Sequence, residues 1–312
     1  MNIAVVGPGA IGILFGAKLI ESGESVYFLD HDRARVEIIK KQGISLENKS
    51  KTRACSANIT DQSGDLKEID LFLICVKSYD TRTAVKSIKS IVGERSSVLT
   101  LQNGVGNIEI IEEIIGPEKV VCGVTIQGAN VISDGKIRHA GVGETAIGRI
   151  DGKIPVQLRG IREAFNKAGM KTRISKDIKS LMWSKLIINV GINALTAITR
   201  LRNGDLLKYE GARTILRQAV SEAVKVAKRK RIKLIYDDII DKTEAVCEAT
   251  AQNISSMLQD VLRSKKTEID SLNGAIIRQG QSMGIATPVN SLLVNLIKAI
   301  ESSYNNIIYQ KG

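Results

Sequence analysis

The sequence has 312 residues, of which 43% are hydrophobic, and this length is sufficient for two domains with separate cores. The formal net charge of +12 favours anionic ligands, but aromatic residues make up only 4% and no nucleic-acid-binding module is recognisable. Four scattered cysteines and two unpaired histidines argue against a disulfide framework, a metal site and a histidine-based triad. We therefore expect a cytoplasmic protein without a nucleic-acid partner.

The first predicted element is an apolar strand that turns sharply into a helix. Three glycines at the turn have the spacing G-x-G-x-x-G, in which the first makes the turn, the second lets the backbone approach a phosphate and the third allows close helix packing. A signal peptide or membrane anchor fits poorly, because there is no basic start and Lys18 and Glu21 interrupt the run. The pyrophosphate of a dinucleotide is expected to contact Gly7, Pro8, Gly9, Ala10, Ile11 and Gly12.

Asp30 ends the second predicted strand, residues 25–29, about 20 residues after the glycines. A carboxylate at this position binds the ribose hydroxyls of NAD and repels the 2′-phosphate of NADP. Arg33 and Arg35 follow closely enough to bind that phosphate instead. The sequence therefore predicts NAD(P)H as the cofactor, with NADH favoured.

The elements up to residue 176 alternate between strands and helices, which is typical of an α/β domain of the Rossmann type. We expect short strands at 44–47 and 52–60 to extend the sheet, and the apolar run 69–76 to form a strand buried on both faces. Lys77 and Asn103 each follow a predicted strand, and the carboxyl ends of parallel strands line the ligand crevice.

The second half, residues 177–312, is predicted to be an all-helical domain because β-type runs disappear. Helices are expected at 177–199, 205–231, 237–262, 267–283 and 289–303. The basic run 228–233 is interpreted as a solvated helix end, with an anion site as the alternative. The long apolar helices fit a homodimer through this domain and fit packing within one chain equally well.

The first of these helices carries a polar face within an apolar stretch. Lys185, Asn189 and Asn193 have the spacing i, i+4 and i+8, so an amine and two amides lie on one side of the helix. Burying them costs several kcal/mol unless they are paired. A ligand or a polar network is therefore expected to meet this face.

Taken together, these motifs resemble the 2-dehydropantoate (ketopantoate) reductases, which reduce a 2-keto acid with NADPH during pantothenate and coenzyme A synthesis. The resemblance runs from Met1 to about Pro288. Its most specific motifs are WSKLIINVGINALTAI, the pair Asn203-Gly204, AQNISSMLQDV and TEIDSLNG. One departure concerns the cofactor, because that family's usual NADPH users have an arginine where Asp30 stands here.

The resemblance implies that Lys185 is the general acid that protonates the keto oxygen as hydride reaches the adjacent carbon. It also implies that Glu268 keeps this lysine charged or holds substrate or cofactor hydroxyls. Further implied substrate contacts are Asn103, Asn189, Asn193, Asn203, Asn253 and Ser256. The implied cofactor contacts are Lys77, Asn103, Ala129 and Glu268.

The chain is also expected to turn at residues 263–266. On one straight helix, Asn253 and Glu268 would lie about 22 Å apart, which is too far for one small substrate. A turn would bring Ser256 and Glu268 toward the cleft that contains Lys185.

Two other functions remain open at this point. One is another two-domain dehydrogenase that acts on a 3-hydroxy acid or a sugar acid, because a lysine with an asparagine four residues later recurs there. The other is a redox-sensing NAD(P)-binding regulator without turnover. Loss of nicotinamide absorbance with ketopantoate would separate a reductase from both.

Overall fold

The computed structural model describes residues 1–48 and 52–306, and the chain divides into two units. The first unit comprises Met1–Gln102 and Asn107–Ile178. The second comprises Asn103–Gly106 and Lys179–Gly312, so a short loop after a strand of the first unit belongs to the second.

The described residues of the first unit contain twelve strands: β1 (Asn2–Val6), β2 (Ser25–Leu29), β3 (Ile44–Glu47), β4 (Thr52–Cys55), β5 (Asn58–Thr60), β6 (Leu71–Ile74), β7 (Ser97–Thr100), β8 (Val120–Thr125), β9 (Gly128–Ser133), β10 (Lys136–Gly141), β11 (Thr145–Gly148) and β12 (Thr172–Ile174). Eight of them form one sheet in the order β12-β11-β8-β7-β6-β1-β2-β5, and only the β8–β11 pair is antiparallel. Strand order reverses at β1, whose neighbours are β2 and β6, and ligands of open parallel sheets bind at such a point.

A second sheet has the order β4-β3-β10-β9, which corrects two predictions. Residues 44–47 and 52–55 do not extend the main sheet, because Thr52, Arg53 and Ala54 are exposed and cannot serve as a strand that is covered on both faces. Only β5 joins it. Ala129, one of the implied cofactor contacts, is part of strand β9.

Five helices cover the large sheet or pack beside it: α1 (Ala10–Glu21), α2 (Arg33–Gln42), α3 (Thr81–Ile88), α4 (Asn107–Ile115) and α5 (Val156–Lys167). Phe15 of α1 and Phe165 of α5 meet edge to face, with ring centroids 5.2 Å apart. Gly16 leaves room for the ring of Phe28, which a Cβ atom would overlap. Close packing of α1 on β2 therefore depends on this glycine.

The described part of the second unit is helical: α6 (Ile178–Thr199), α7 (Glu210–Arg229), α8 (Ile239–Ala249), α9 (Ser256–Leu262), α10 (Asn273–Gln281) and α11 (Pro288–Ser302). Three predicted helices were too long. Residues 203–207 form a 3-10 turn before α7, residues 250–255 separate α8 from α9, and α10 begins at Asn273.

Helix α6 lies at the centre of the second unit's hydrophobic core. Among the described residues it is the one helix long and apolar enough to span a membrane, but 67% of its most apolar window is buried inside the protein, as in a core helix. A Cβ atom on Gly191 would lie 2.7 Å from Val220 of α7 and 3.2 Å from Thr243 of α8. Glycine at this position thus allows both helices to pack closely against α6.

Each unit contains a fully buried thiol. Cys122 lies in β8 and Cys247 in α8, and neither side chain is exposed. Burial raises the pKa of both thiols, that of Cys247 to about 12. These two cysteines behave as small core hydrophobes.

Candidate active site

The glycine turn after β1 has the steric features that the G-x-G-x-x-G spacing predicts. Gly7 has φ +94°, and a Cβ atom there would lie 2.7 Å from the backbone nitrogen of Val76. A Cβ atom on Gly12 would overlap the carbonyl oxygen of Gly7, whereas one on Gly9 would meet nothing within 4 Å. Gly9 precedes α1, whose start has no side-chain cap. This open, uncapped helix end fits a pyrophosphate.

Three predicted cofactor residues lie at the same edge of the large sheet. The backbone nitrogen of Gly7 donates to Leu29 at the end of β2, immediately before Asp30. Lys77 follows Val76, which packs against Gly7. The structure therefore brings together the glycine turn, Asp30 and Lys77, while Ala129 lies in the second sheet and packs on the core of the first unit.

A hydrogen-bond network that the sequence did not reveal connects the loops after β6 and β7. Gln102 Nε2 donates to the carbonyl oxygen of Val76 at 2.7 Å and to Thr81 Oγ1 at 2.8 Å. Thr81 is fully buried and also contacts Asn107 Oδ1 at 3.0 Å. Gln102 thus holds the end of the Lys77 loop, and only its position next to Asn103 could have indicated this role.

Asp30 is almost completely buried, with 4% of its surface exposed. Its oxygens accept hydrogen bonds from Arg35 Nη1 at 2.7 Å and from the backbone nitrogen of Asp32 at 3.1 Å. Burial raises the pKa of Asp30, and these donors oppose the increase. Asp32, not Asp30, caps α2.

The two arginines that were expected to be available for a 2′-phosphate are paired with carboxylates. Arg35 contacts Asp30, Asp32 at 3.1 Å and Asp134 at 3.4 Å. Arg33 Nε donates to Asp61 at 2.9 Å.

Lys185 of α6 lies close enough to Glu268 for the two charges to interact. Burial lowers the pKa of Lys185 to about 8, and the negative charge of Glu268 limits the decrease. A lysine with such a pKa is protonated at neutral pH and yet gives up its proton more readily than an exposed one. This is the property that a general acid needs.

Asn189 and Asn193, here called the amide row, continue the same face of α6 from Lys185. The three residues extend over about 12 Å of helix. Asn193 is 6% exposed. One turn further, Thr196 Oγ1 lies 2.7 Å from Ser255 Oγ, the N-cap of α9. This contact, which the sequence did not predict, places the Ser256 end of α9 beside the far end of the row.

Asn203 and Asn253 meet through their backbones, because Asn203 nitrogen donates to Asn253 oxygen at 3.1 Å. Asn203 Nδ2 donates to Thr250 Oγ1 at 2.9 Å, and its buried Oδ1 has no hydrogen-bond partner in the described structure. A buried acceptor in this state fits a ligand hydroxyl. Asn253 lies in the loop before α9 and not on a helix as predicted.

The predicted turn at residues 263–266 is confirmed. Helix α9 ends at Leu262, and Ser264 has φ +52°. Glu301 Oε1 accepts a hydrogen bond from Thr267 nitrogen at 2.6 Å, and the Tyr304 hydroxyl donates to Lys265 oxygen at 2.8 Å. The end of α11 thus holds the loop that carries Glu268.

Asn273 connects the start of α10 to the middle of α6. Its Nδ2 donates to Val190 oxygen at 3.1 Å and to Asn290 Oδ1 at 3.0 Å. Asn290 in turn donates to Glu222 at 2.7 Å. This fully buried chain of polar groups fixes the position of α10 against the helix that carries Lys185.

The loop with Asn103 is also attached to the second unit near Glu268. Val105 nitrogen donates to Ser271 oxygen at 3.2 Å. Gly104 has φ +84°, and a Cβ atom there would overlap Ser271. Asn103 therefore belongs to the same unit as Lys185 and the amide row.

The first unit has a dinucleotide-type turn at the switch point of a parallel sheet. The second has a lysine on an amide-lined helix and a carboxylate, Glu268, on the loop before α10. No group of three His, Cys, Asp or Glu side chains able to hold a metal occurs in residues 1–48 and 52–306. Fold and residues together define the class of NAD(P)-dependent oxidoreductases.

Comparison with known proteins assigns the family. Residues 3–152 match the family model described as "Ketopantoate reductase PanE/ApbA", and residues 177–301 match its C-terminal counterpart. The chain belongs to the ketopantoate reductase PanE/ApbA family.

Individual relatives cover nearly the full chain. The 2-dehydropantoate 2-reductase of Halobacterium salinarum is 33% identical, over 96% of this chain and 98% of its own. A ketopantoate reductase structure from Ralstonia eutropha matches with TM-score 0.90 and 31% identity, over 98% and 100% of the two chains. The ternary structure of D-mandelate dehydrogenase with NADH and anilino(oxo)acetate matches with TM-score 0.93 and 28% identity, over 98% and 100%.

Proposed function

We propose that this chain is a 2-dehydropantoate 2-reductase that converts ketopantoate to pantoate, in pantothenate and coenzyme A synthesis in the cytoplasm. The observation that carries the proposal is the facing pair Lys185 and Glu268 at one end of the amide row on α6. The full-length similarity to 2-dehydropantoate 2-reductases supports this substrate.

Lys185 is the proton donor in this proposal. NAD(P)H supplies the hydride, and negative charge develops on the keto oxygen. The Lys185 ammonium group stabilises that charge and then transfers its proton to the oxygen. Glu268 favours the protonated form of the lysine before the reaction.

The amides orient the acid substrate. Asn189 and Asn193 offer donors to its carboxylate, and the unpartnered Oδ1 of Asn203 accepts a hydrogen bond from its hydroxyl. Asn253, Ser256 and Asn103 complete the proposed set of substrate contacts. The Gly7–Gly12 turn, Lys77 and Ala129 contact the dinucleotide, together with Asn103 and Glu268.

We further propose that NADH is preferred over NADPH. Asp30 ends β2, where the adenosine ribose binds in folds of this kind. Both nearby arginines are paired with carboxylates, so a 2′-phosphate would compete with these carboxylates for them. A tenfold or greater preference for NADPH in kcat/KM would contradict this proposal.

The test of the reaction is a steady-state assay of nicotinamide absorbance loss with ketopantoate, run with NADH and NADPH in parallel. We expect ketopantoate to give the highest kcat/KM among 2-keto acids. The similarity to D-mandelate dehydrogenase favours one alternative, a dehydrogenase for another 2-hydroxy acid. Phenylglyoxylate, the keto acid of mandelate, is therefore the essential comparison. A higher kcat/KM for it than for ketopantoate would overturn the assignment.

A further inference from the structure

Arg35 is held by carboxylates from two different sheets. Asp30 follows β2 of the large sheet, and Asp32 caps α2. The third carboxylate, Asp134, lies in the turn between β9 and β10 of the second sheet. The distances from Arg35 are 2.7 Å from Nη1 to Asp30, 3.1 Å from Nη2 to Asp32 and 3.4 Å from Nε to Asp134.

These contacts involve all three nitrogens of the guanidinium group. Nη1 and Nη2 each donate to a different carboxylate, and Nε faces the third. A phosphate is normally bound by an arginine through two parallel N–H groups. A phosphate that approaches any two neighbouring nitrogens of Arg35 therefore meets at least one aspartate that is already in contact with them.

The position of Asp134 is fixed by the backbone of its turn. The next residue, Gly135, has φ +73°, and its carbonyl oxygen accepts a hydrogen bond from Ser45 nitrogen at 2.8 Å. A Cβ atom on Gly135 would lie 2.9 Å from the carbonyl oxygen of Gly43. The turn is thus packed against the start of β3, and its Asp134 contacts Arg35.

The charge of this region opposes a second phosphate. Two ion-pair groups occur here among the described residues: Arg35 with Asp30, Asp32 and Asp134, and Arg33 with Asp61. Together they carry a net charge of −2 with histidine counted as neutral. A 2′-phosphate carries negative charge of its own and is repelled by this excess.

We propose that Asp134 is a specificity-determining residue that disfavours NADP(H), by holding Arg35 on Asp30 and by adding negative charge beside the ribose. The inference rests on the proposed function only in that the first unit binds a nicotinamide dinucleotide. The second sheet, which contains no part of the glycine turn, thereby contributes to cofactor choice.

The test is a titration of the full-length protein with NADH or NADPH in the absence of keto acid. Nicotinamide fluorescence measures binding and gives the Kd for each dinucleotide. Asp134→Asn keeps the shape of a side chain that is 47% exposed, so we expect normal folding by circular dichroism. The Kd for NADPH should fall about fivefold to tenfold, and that for NADH should change less than about twofold. The increase in NADPH affinity should be smaller at high salt, because salt screens the half-exposed Asp134 carboxylate.

Glu47→Gln is the matched control, because Glu47 forms an exposed ion pair with Arg138 within the same second sheet. It should leave the ratio of the two Kd values unchanged. An unchanged ratio in Asp134→Asn, or parallel changes for both dinucleotides, would overturn the proposal, as would a wild-type protein that binds neither. If ketopantoate is not reduced but the ratio shifts as expected, Asp134 retains its role and only the substrate assignment fails.

Discussion

Lys185 combines burial with the nearby negative charge of Glu268, and both properties act on its proton. Burial favours the neutral amine, whereas Glu268 favours the ammonium form, and the resulting pKa is about 8. At neutral pH the lysine is therefore charged and ready to donate. Removing the amine should therefore change kcat, and changing its pKa should change the pH dependence of kcat.

Lys185→Ala should lower kcat for keto-acid reduction by about 100-fold or more, because no proton donor remains beside the developing alkoxide. The control is Lys179→Ala, which removes an exposed lysine from the same helix. Steady-state kinetics of both variants, with circular dichroism to verify folding, provide the measurement. Near-normal turnover of a folded Lys185→Ala protein would exclude Lys185 as the donor.

The pH profile of kcat should decline as the pH rises through about 8, because only protonated Lys185 can donate. Glu268→Gln removes the charge that raises this pKa, so the inflection should move to lower pH. Asp270→Asn is the control, because Asp270 lies on the same loop and pairs with Lys298 at 2.9 Å. An inflection that stays in place in Glu268→Gln would show that Glu268 does not control the lysine.

At the scale of elements, the loop between α9 and α10 has no regular structure, and α11 supports it. Glu301→Ala removes the acceptor for the buried nitrogen of Thr267, next to Glu268. We expect kcat to fall about tenfold, which corresponds to about 1.4 kcal/mol. Glu301→Gln keeps an acceptor oxygen and should restore most of kcat. Equal kcat values for the alanine variant and the wild type would contradict this supporting role.

Elements with strong periodicity were predictable. The bounds of β2 and β3 match the predictions, and α6 begins one residue later than expected, because apolar runs and glycines define these elements locally. The break between α8 and α9 was not predictable, because residues 250–255 are compatible with a helix. It depends on tertiary contacts, such as Asn203 with Asn253 and Ser255 with Thr196.

The candidate site also contains residues that could be predicted from the sequence and residues that could not. The glycine spacing and the i, i+4, i+8 row are local patterns, so their residues were found from the sequence. The partners of Arg35 come from β2, α2 and the β9–β10 turn, and no local pattern connects Asp134 to Asp30. The roles of Gln102 and Asn273 likewise depend on which strand ends and helices become neighbours in the fold.

An ion-pair cluster joins α7 to α8. Arg213 and Arg217 both donate to Glu244, and they lower the pKa of this carboxyl to about 2. The folded-state pKa lies below the unfolded value, so the cluster stabilises the protein above about pH 4.5, and this stabilisation is lost as the pH falls toward 2.

Glu244→Gln should lower the free energy of unfolding by about 2 kcal/mol at neutral pH, because charged hydrogen bonds are lost at a buried acceptor. The matched control is Glu113→Gln, whose ion pair with Arg82 is exposed, and it should lower the free energy of unfolding much less. Urea denaturation at neutral pH and near pH 3 provides the measurement. The difference between wild type and Glu244→Gln should shrink in acid, and a constant difference would contradict the stated cause.

The alkylation rates of the two buried thiols can report local opening of the structure. A thiol that is inaccessible and protonated reacts with an alkylating agent only after the surrounding structure opens. Cys122 samples the strands of the first unit and Cys247 the helices of the second. Mass spectrometry of alkylated peptides, collected over time in low urea, should therefore give a separate opening free energy for each unit without any engineered label.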